Sequence, residues 1–157
     1  MNLADDLDRL DRRLLAALEA QGRVSNTELA AQIGLSQSAC LRRVQRLEAT
    51  GVIEGYGARL NAARLGRGET VFIEITLSNQ SDTALDAFER AVAACPEVLE
   101  CHLMAGDYDY LLRVAVAGSA DYERLHRKHL AAFPHVARIR SHFALRRVTR
   151  RAGLMGT

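Results

Sequence analysis

Hydrophobic positions in the first part of the chain recur at helical spacing, between short polar breaks that contain serine or glycine. The first stripe places a leucine every three or four residues, at Leu7, Leu10, Leu14 and Leu18. That spacing puts the leucines on one face of a helix. Gly22 ends this predicted helix, because glycine readily adopts the left-handed conformation that follows a helix C-terminus.

Two further helices are predicted by their capping residues. Ser25 is followed three residues later by Glu28, the pattern of a capping box, so a second helix should begin at Asn26 and end at Gly34. Ser36 then caps a third helix. The apolar positions of this third helix are Cys40, Leu41, Val44 and Leu47.

The order of these elements is typical of a helix-turn-helix. Two short helices are joined by a tight turn that contains glycine, and a first helix precedes them. Residues 52–60 read as one short strand, or two with a turn between them, which predicts a winged variant. We expect a winged helix-turn-helix domain over residues 1–60.

From about residue 70 the hydrophobic period changes to two, which indicates strands. Two helical stripes interrupt the strands, and each stops at a proline, Pro96 or Pro134. The predicted order is β-α-β-β-α-β, the split pattern of a ferredoxin-like domain. The sequence therefore predicts an α+β protein with a linker over residues 61–69 and a second domain over 70–157. The predicted strands cover residues 71–77, 98–105, 110–117 and 136–145.

Composition narrows the class of protein. Of 157 residues, 48% are apolar and 25% are charged, which is typical of a globular protein without membrane spans. The N-terminus lacks a signal peptide pattern, so we expect a cytoplasmic protein with no membrane partner. Cys40, Cys95 and Cys101 are scattered and read as reduced core residues. His126 and His129 lie on one predicted helix without a third ligand nearby, so no metal or other cofactor is predicted.

Arginines cluster on the predicted third helix, and no acid occurs between positions 36 and 47. The apolar stripe occupies the other side, so the guanidiniums should point outward, where the major groove of DNA accepts one helix. Helix-turn-helix proteins also place base contacts at the N-terminus of this helix. A solvated charged face remains the alternative. The predicted DNA-binding residues are Ser36, Gln37, Ser38, Arg42, Arg43 and Arg46.

Two other charged groups lie near the ends of the chain. The acids on or before the first helix should face away from DNA; they are Asp5, Asp6, Asp8 and Asp11. Six arginines and no acid occur between positions 138 and 151. The last four of these arginines have two interpretations: they contact DNA wrapped on a larger assembly, or they form a solvated tail. We favour the solvated tail. The four are Arg146, Arg147, Arg150 and Arg151.

One helix-turn-helix makes few phosphate contacts, so specific binding calls for a homodimer on a palindromic operator. Helices cover one face of a β-α-β-β-α-β sheet and leave the other face open. The predicted strands carry apolar residues on both faces. In the strand over 110–117, Leu111 and Ala115 are on one face, and Leu112 and Val114 are on the other. We therefore expect the open faces of two protomers to pack together.

Over nearly its whole length the chain resembles the Lrp/AsnC family of bacterial and archaeal transcription regulators, and most of all its leucine-responsive branch. The resemblance rests on LDRLDRRLLAALEAQGRVSNTELAAQIGLSQSACLRRVQRLEATGVIEGY, VFIEITL, VLECHLMAGDYDYLLRVAV and HVARIRSHFAL. It implies a DNA-binding domain followed by a ferredoxin-like domain that senses a free amino acid, either leucine or another small apolar one. It also implies dimers that assemble into tetramers or octamers.

The resemblance further implies an effector site near the turn between the second and third strands of the second domain. Backbone N–H groups around a glycine can hold the carboxylate of an amino acid, and an acid can pair with its ammonium group. On the residues alone, the same segment reads as an ordinary hairpin turn. The implied effector-binding residues are Met104, Gly106, Asp107, Tyr108, Asp109 and Ser141.

Two other functions remain open from the sequence. Sirohaem decarboxylases resemble this family in both domains, so the architecture alone does not exclude an enzyme. Such an enzyme would not need an exposed arginine face on the third helix, and the sequence has no Gly-rich phosphate loop or paired-carboxylate site, so we expect no catalysis. The other alternative is a chromosome-organising protein with weak sequence preference.

Overall fold

The computed structural model describes residues 7–149, in which residues 7–59 belong to one compact unit and residues 60–148 form a second. No helix in the described range is long and apolar enough to cross a membrane. The first unit contains the helices α1 (Arg9–Gln21), α2 (Asn26–Ile33) and α3 (Gln37–Ala49). The second contains β1 (Glu69–Leu77), α4 (Asp82–Ala93), β2 (Val98–Leu103), β3 (Tyr110–Val116), α5 (Ser119–Lys128) and β4 (Val136–Phe143). Asp5, Asp6, Arg150 and Arg151 lie outside the described residues.

The helices of the first unit begin at the predicted caps. Ser25 accepts the Glu28 N–H at 3.2 Å, and the Glu28 carboxylate accepts the Ser25 N–H at 2.9 Å, so the capping box is confirmed. Ser36 accepts the Ala39 N–H at 3.2 Å and starts α3. Gly34 adopts a φ of 80° in the turn between α2 and α3, a conformation that glycine takes without steric cost. The helix-turn-helix is therefore confirmed.

A small apolar core holds the three helices together. One predicted core residue, Leu41, is instead 46% exposed. The α3 residues that pack into this core are Cys40, Val44 and Leu47, which are four and three residues apart on one face of the helix. Leu41 lies beside that face. The buried residues are Leu14, Leu29, Ala30, Ile33, Cys40 and Leu47.

The strand expected over residues 52–60 is not formed in the described chain. After α3 the backbone instead folds back, and the Ile53 N–H donates to the Leu47 carbonyl at 3.0 Å. Val52 and Ile53 pack against the helical core. A strand needs a hydrogen-bonding partner, and Gly55 and Gly57 add flexibility that opposes one. The first unit is therefore a helix-turn-helix without a strand as its wing.

The second unit is one antiparallel sheet with the strand order β2-β3-β1-β4. This order confirms the predicted ferredoxin-like β-α-β-β-α-β fold. The two central strands, β1 and β3, bury every second residue in the core of this unit. Residues of α4 and α5 belong to the same core. Ile73 lies at its centre, paired with Leu112 on β3 and with Ser141 on β4. Phe88 of α4 and Leu125 of α5 complete this core.

The other face of the sheet is more polar than the sequence predicted. Phe72, 38% exposed, is paired with Arg113 on one side and His142 on the other. Arg113 forms an ion pair with Glu100 at 2.5 Å, and Glu74 lies 3.3 Å from the His142 imidazole. All four strands therefore contribute polar groups to this face: Glu100 from β2, Arg113 from β3, Glu74 from β1 and His142 from β4.

Candidate functional site

The N-terminal end of α3 presents polar groups at the surface of the first unit. Ser36, Gln37 and Ser38 are all exposed. The Asn26 side chain donates to the Gln37 carbonyl at 3.0 Å, which ties the start of α2 to the start of α3. The first-turn N–H groups of a helix favour a phosphate. This end of α3 is thus fixed in position and chemically suited to bind a nucleic acid.

Two arginines of α3 are neutralised within the first unit. Arg43 Nη1 lies 2.6 Å from a carboxylate oxygen of Asp8 and 2.8 Å from one of Asp11. Arg46 pairs with the other oxygen of Asp11. Asp8 and Asp11 were expected only to face away from DNA, but they reach α3 because α1 packs beside it. Asp8 also caps α1 by accepting the Asp11 N–H at 2.8 Å.

These ion pairs differ in their exposure to water. The Asp11 side chain is fully buried, whereas Arg43 keeps 27% of its side chain exposed and Arg46 keeps 50%. The Asp11 backbone N–H and the Arg43 guanidinium both lower the pKa of Asp8. Arg42 is exposed, and no ion pair of its side chain is found within residues 7–149. Arg42 is therefore the arginine of this cluster whose charge is most available to a partner.

A second candidate site lies at the loop between β2 and β3 in the second unit. A cavity of about 170 Å³ opens on the face of the sheet that the helices do not cover. This volume is below the ~300–1,000 Å³ of pockets for drug-sized ligands, so the cavity suits a smaller molecule. It brings together two carboxylates and two guanidiniums, a match for a zwitterion. The lining residues are Glu74, Thr76, Asp107, Tyr108, Arg138 and Arg140.

Only part of the predicted effector set lines this cavity. Asp107 and Tyr108 do. Asp109 is 8% exposed, and its carboxylate accepts the Leu77 N–H at 2.7 Å and the Gln80 side chain at 2.6 Å. Asp109 therefore fastens the loop to the end of β1, which positions the residues before it.

The other members of the predicted set lie around the cavity or away from it. The Met104 N–H donates to the Asp109 carbonyl at 2.8 Å, which closes the base of the loop. Gly106 is exposed and has a φ of 150°, in the range that favours glycine. Ser141 hydrogen-bonds the hydroxyl of Tyr122 on α5 and so lies on the helix-covered face. The structure does not bring Ser141 to the cavity.

Four of the lining residues are not among those predicted from the sequence. Glu74 and Thr76 alternate with core positions of β1, and Arg138 and Arg140 do the same on β4. Alternation of apolar and polar residues indicates which face each strand buries, but it does not indicate that β1 pairs with β4. In the structure this pairing puts Glu74 opposite Arg140 and Thr76 opposite Arg138. The sequence did contain a signal for this site. Both strands carry charged residues at outward positions, and the ferredoxin-like fold makes these two strands neighbours.

Replacing Asp109 by alanine should lower the free energy of unfolding by about 1–3 kcal/mol, because the buried Leu77 N–H loses its acceptor. Urea unfolding followed by circular dichroism measures this change. Asp107→Ala, at an exposed position of the same loop, is the matched control and should leave stability unchanged. Equal stability of the two variants would contradict the fastening role of Asp109.

Comparison with known proteins gives two matches along the chain. A family model described as the AsnC-type helix-turn-helix domain matches residues 7–48. A second, described as the Lrp/AsnC ligand binding domain, matches residues 70–154. The first match runs from α1 to within one residue of the end of α3, and the second begins one residue into β1 and includes the other three strands.

Individual proteins match over most of the chain. The leucine-responsive regulatory protein of Escherichia coli is 42% identical over 143 residues, which cover 91% of this chain and 87% of that protein. The structure also resembles a transcriptional regulator of Neisseria meningitidis in complex with L-methionine, with a TM-score of 0.87, 30% identity and coverage of 92% and 93%. A feast or famine regulatory protein of Mycobacterium tuberculosis complexed with L-methionine gives a TM-score of 0.82, 36% identity and coverage of 96% and 99%.

Proposed function

We infer the function from one premise: this chain belongs to the Lrp/AsnC family, since a model of that family's ligand-binding domain matches more than half of it. It is a DNA-binding transcriptional regulator that responds to a free amino acid. The observation that carries this proposal is the exposed face of α3, which stands in a unit that matches the AsnC-type helix-turn-helix.

In this proposal α3 enters the major groove. Its N-terminal residues Ser36, Gln37 and Ser38 face bases or phosphates, and Arg42 supplies a guanidinium that can donate two hydrogen bonds to guanine. Arg43 and Arg46 are partly exposed, so they keep some donors for phosphate while Asp8 and Asp11 hold them in place. Because acids of the same unit neutralise these two arginines, their main role is to position α3 on the DNA, and they contribute little unpaired positive charge.

The amino acid binds in the cavity beside the β2–β3 loop. Arg138 and Arg140 pair with its carboxylate, and Glu74 and Asp107 pair with its ammonium group. Tyr108 contributes an aromatic surface for an apolar side chain. One relative is named for leucine and two similar structures contain L-methionine, which supports leucine or another apolar amino acid as the ligand here.

A thermal-shift screen of the full chain against the twenty amino acids tests the effector. A ligand bound only by the folded protein stabilises it by about 2.7 kcal/mol at 100 times its Kd, so one or a few apolar amino acids should raise Tm. Asp107→Asn should reduce this shift, and Asp86→Asn, at an exposed position of α4, should not. A shift of the same size in both variants would place the amino acid elsewhere.

A homodimer formed through the second unit completes the proposal. Phe72, Leu111 and Ala115 provide apolar area on the open face, within a border of charged groups. Two copies packed there would carry two copies of α3 to the half-sites of a palindromic operator. The mass of the full chain by sedimentation equilibrium measures this state, and a tetramer or octamer would be built from such dimers.

The alternatives receive less support. The relatives reported above carry the names of transcriptional regulators, which favours a regulator over a sirohaem-decarboxylase-like enzyme. A chromosome-organising protein of low specificity would use the same exposed face of α3, so it is distinguished by how strongly the protein prefers particular DNA sequences. As a regulator that binds the bacterial or archaeal chromosome, the protein would act in the cytoplasm.

A further inference from the structure

Three potential metal ligands come together in the second unit, away from the cavity beside the β2–β3 loop. Cys95 follows α4, Glu97 comes two residues later, and His129 stands at the end of α5. The Cys95 thiol donates a hydrogen bond to one Glu97 carboxylate oxygen at 3.5 Å, and His129 Nε2 lies 3.6 Å from the other oxygen. One ligand atom from each residue lies within 4.8 Å of the other two.

The His129 imidazole points to an interaction that the protein itself does not supply. Its Nε2 atom is buried and has no hydrogen-bond partner among the described residues. The nearest carboxylate oxygen, from Glu97, is beyond hydrogen-bonding distance. Buried polar atoms in folded proteins almost always have a partner, and an ion that is bound in the native protein is one explanation for such an exception.

The spacing of the ligand atoms suits a tetrahedral ion. With Zn–S near ~2.3 Å and Zn–O near ~2.0 Å, tetrahedral angles put sulfur and oxygen about 3.5 Å apart. The Cys95 sulfur lies 3.5 Å from Glu97 Oε2, which matches this value, and His129 Nε2 lies 3.6 Å from Glu97 Oε1, the other oxygen of the same carboxylate. The three ligand atoms lie within 4.8 Å of one another, so rotation of the Glu97 and His129 side chains would bring all three groups to one ion.

The backbone already holds these ligands in place. The Val98 N–H donates to the Cys95 carbonyl at 3.1 Å, which closes a turn around Pro96 and sets Cys95 and Glu97 side by side. The His129 N–H donates to the Leu125 carbonyl at 2.9 Å at the end of α5. Cys95 is 4% exposed, whereas Glu97 keeps 21% of its side chain exposed. The exposed part of Glu97 gives an ion a path from solvent.

We propose that Cys95, Glu97 and His129 bind a divalent transition-metal ion of the zinc class, with water as the fourth ligand. A set of one sulfur, one nitrogen and one oxygen suits zinc or cobalt and does not suit magnesium or calcium, which prefer oxygen alone. A thiolate and a carboxylate balance the charge of the ion. Arg124 lies 3.9 Å from Glu97, but its guanidinium is already bonded to Asp121 at 2.6 Å. The bound ion would link the end of α4 to the end of α5.

Cobalt titration of the full, chelator-treated chain tests this site. A thiolate ligand in a tetrahedral site gives visible d–d bands and a near-ultraviolet charge-transfer band, which excess zinc should abolish. Cys95→Ser should remove the charge-transfer band, and His129→Gln should weaken cobalt binding by at least about tenfold. The matched controls are Cys101→Ser and His126→Gln, since neither residue belongs to the cluster, and both should bind as the unchanged chain does.

The variants of the three ligands and the control variants are expected to give different results. Glu97→Gln, whose carboxamide is a poorer metal ligand, provides a third variant if Cys95→Ser does not fold, and circular dichroism checks each variant. Loss of binding in the folded cluster variants, with binding retained in the controls, supports the proposal. Absence of the bands in the unchanged chain overturns it. Retention of the charge-transfer band in Cys95→Ser together with its loss in Cys101→Ser also overturns it.

Discussion

Replacing Arg42 by alanine should weaken binding to an operator by roughly 10- to 100-fold, because an arginine that contacts a base contributes about 1–3 kcal/mol. Arg42 is exposed on α3, whereas Arg43 and Arg46 are held by acids of the same unit. Removing Arg42 should therefore affect DNA binding directly and leave the fold and the oligomeric state unchanged. Fluorescence anisotropy across a series of salt concentrations measures the loss.

Arg90→Ala is the matched control for this experiment. Arg90 is an exposed arginine on α4 of the second unit, so its removal changes the net charge equally without touching α3. The control should bind DNA nearly as the unchanged chain does. If Arg42→Ala and Arg90→Ala bind equally, the exposed face of α3 does not enter the groove.

Replacing Asp11 by asparagine should destabilise the first unit by about 2–3 kcal/mol. Asp11 is fully buried and holds Arg43 and Arg46, so the neutral amide leaves two guanidiniums without their shared anion. Breaking a fully buried pair costs about 3–5 kcal/mol, and the smaller value here reflects the partial exposure of both arginines. Urea unfolding of the full chain measures the change.

The control for Asp11→Asn is Asp86→Asn, at an exposed aspartate on α4. It makes the same chemical change at a surface position and should alter the free energy of unfolding by less than about 0.5 kcal/mol. Equal stability of the two variants would mean that Asp11 does not organise the arginines of α3.

The elements of the fold could be predicted because their signals are local. Caps such as Ser25 and Ser36 act within one turn of helix, and alternation along β1 depends only on which face the strand buries. The order of these elements then selects the ferredoxin-like sheet. The strand expected over residues 52–60 depends on a pairing partner, which local alternation cannot supply, and the described chain does not form it.

For the candidate sites, the sequence could group only residues that are neighbours along the chain. The loop residues Asp107 and Tyr108 line the cavity, but Arg138 and Arg140 join them through the pairing of β4 with β1. The pairing of Arg43 with Asp11 likewise depends on how α1 packs beside α3. An excess of like charge along one helix therefore does not reveal the net charge of the surface that the helix presents.

Selection of binding sites from random double-stranded DNA by the full chain tests the central claim most directly. We predict an enriched palindrome with half-sites about one helical turn apart, and sequencing of the bound pool reads it out. The Arg42→Ala variant should fail to enrich that palindrome under the same conditions. A pool without any enriched sequence, or the same palindrome enriched by Arg42→Ala, would contradict the account.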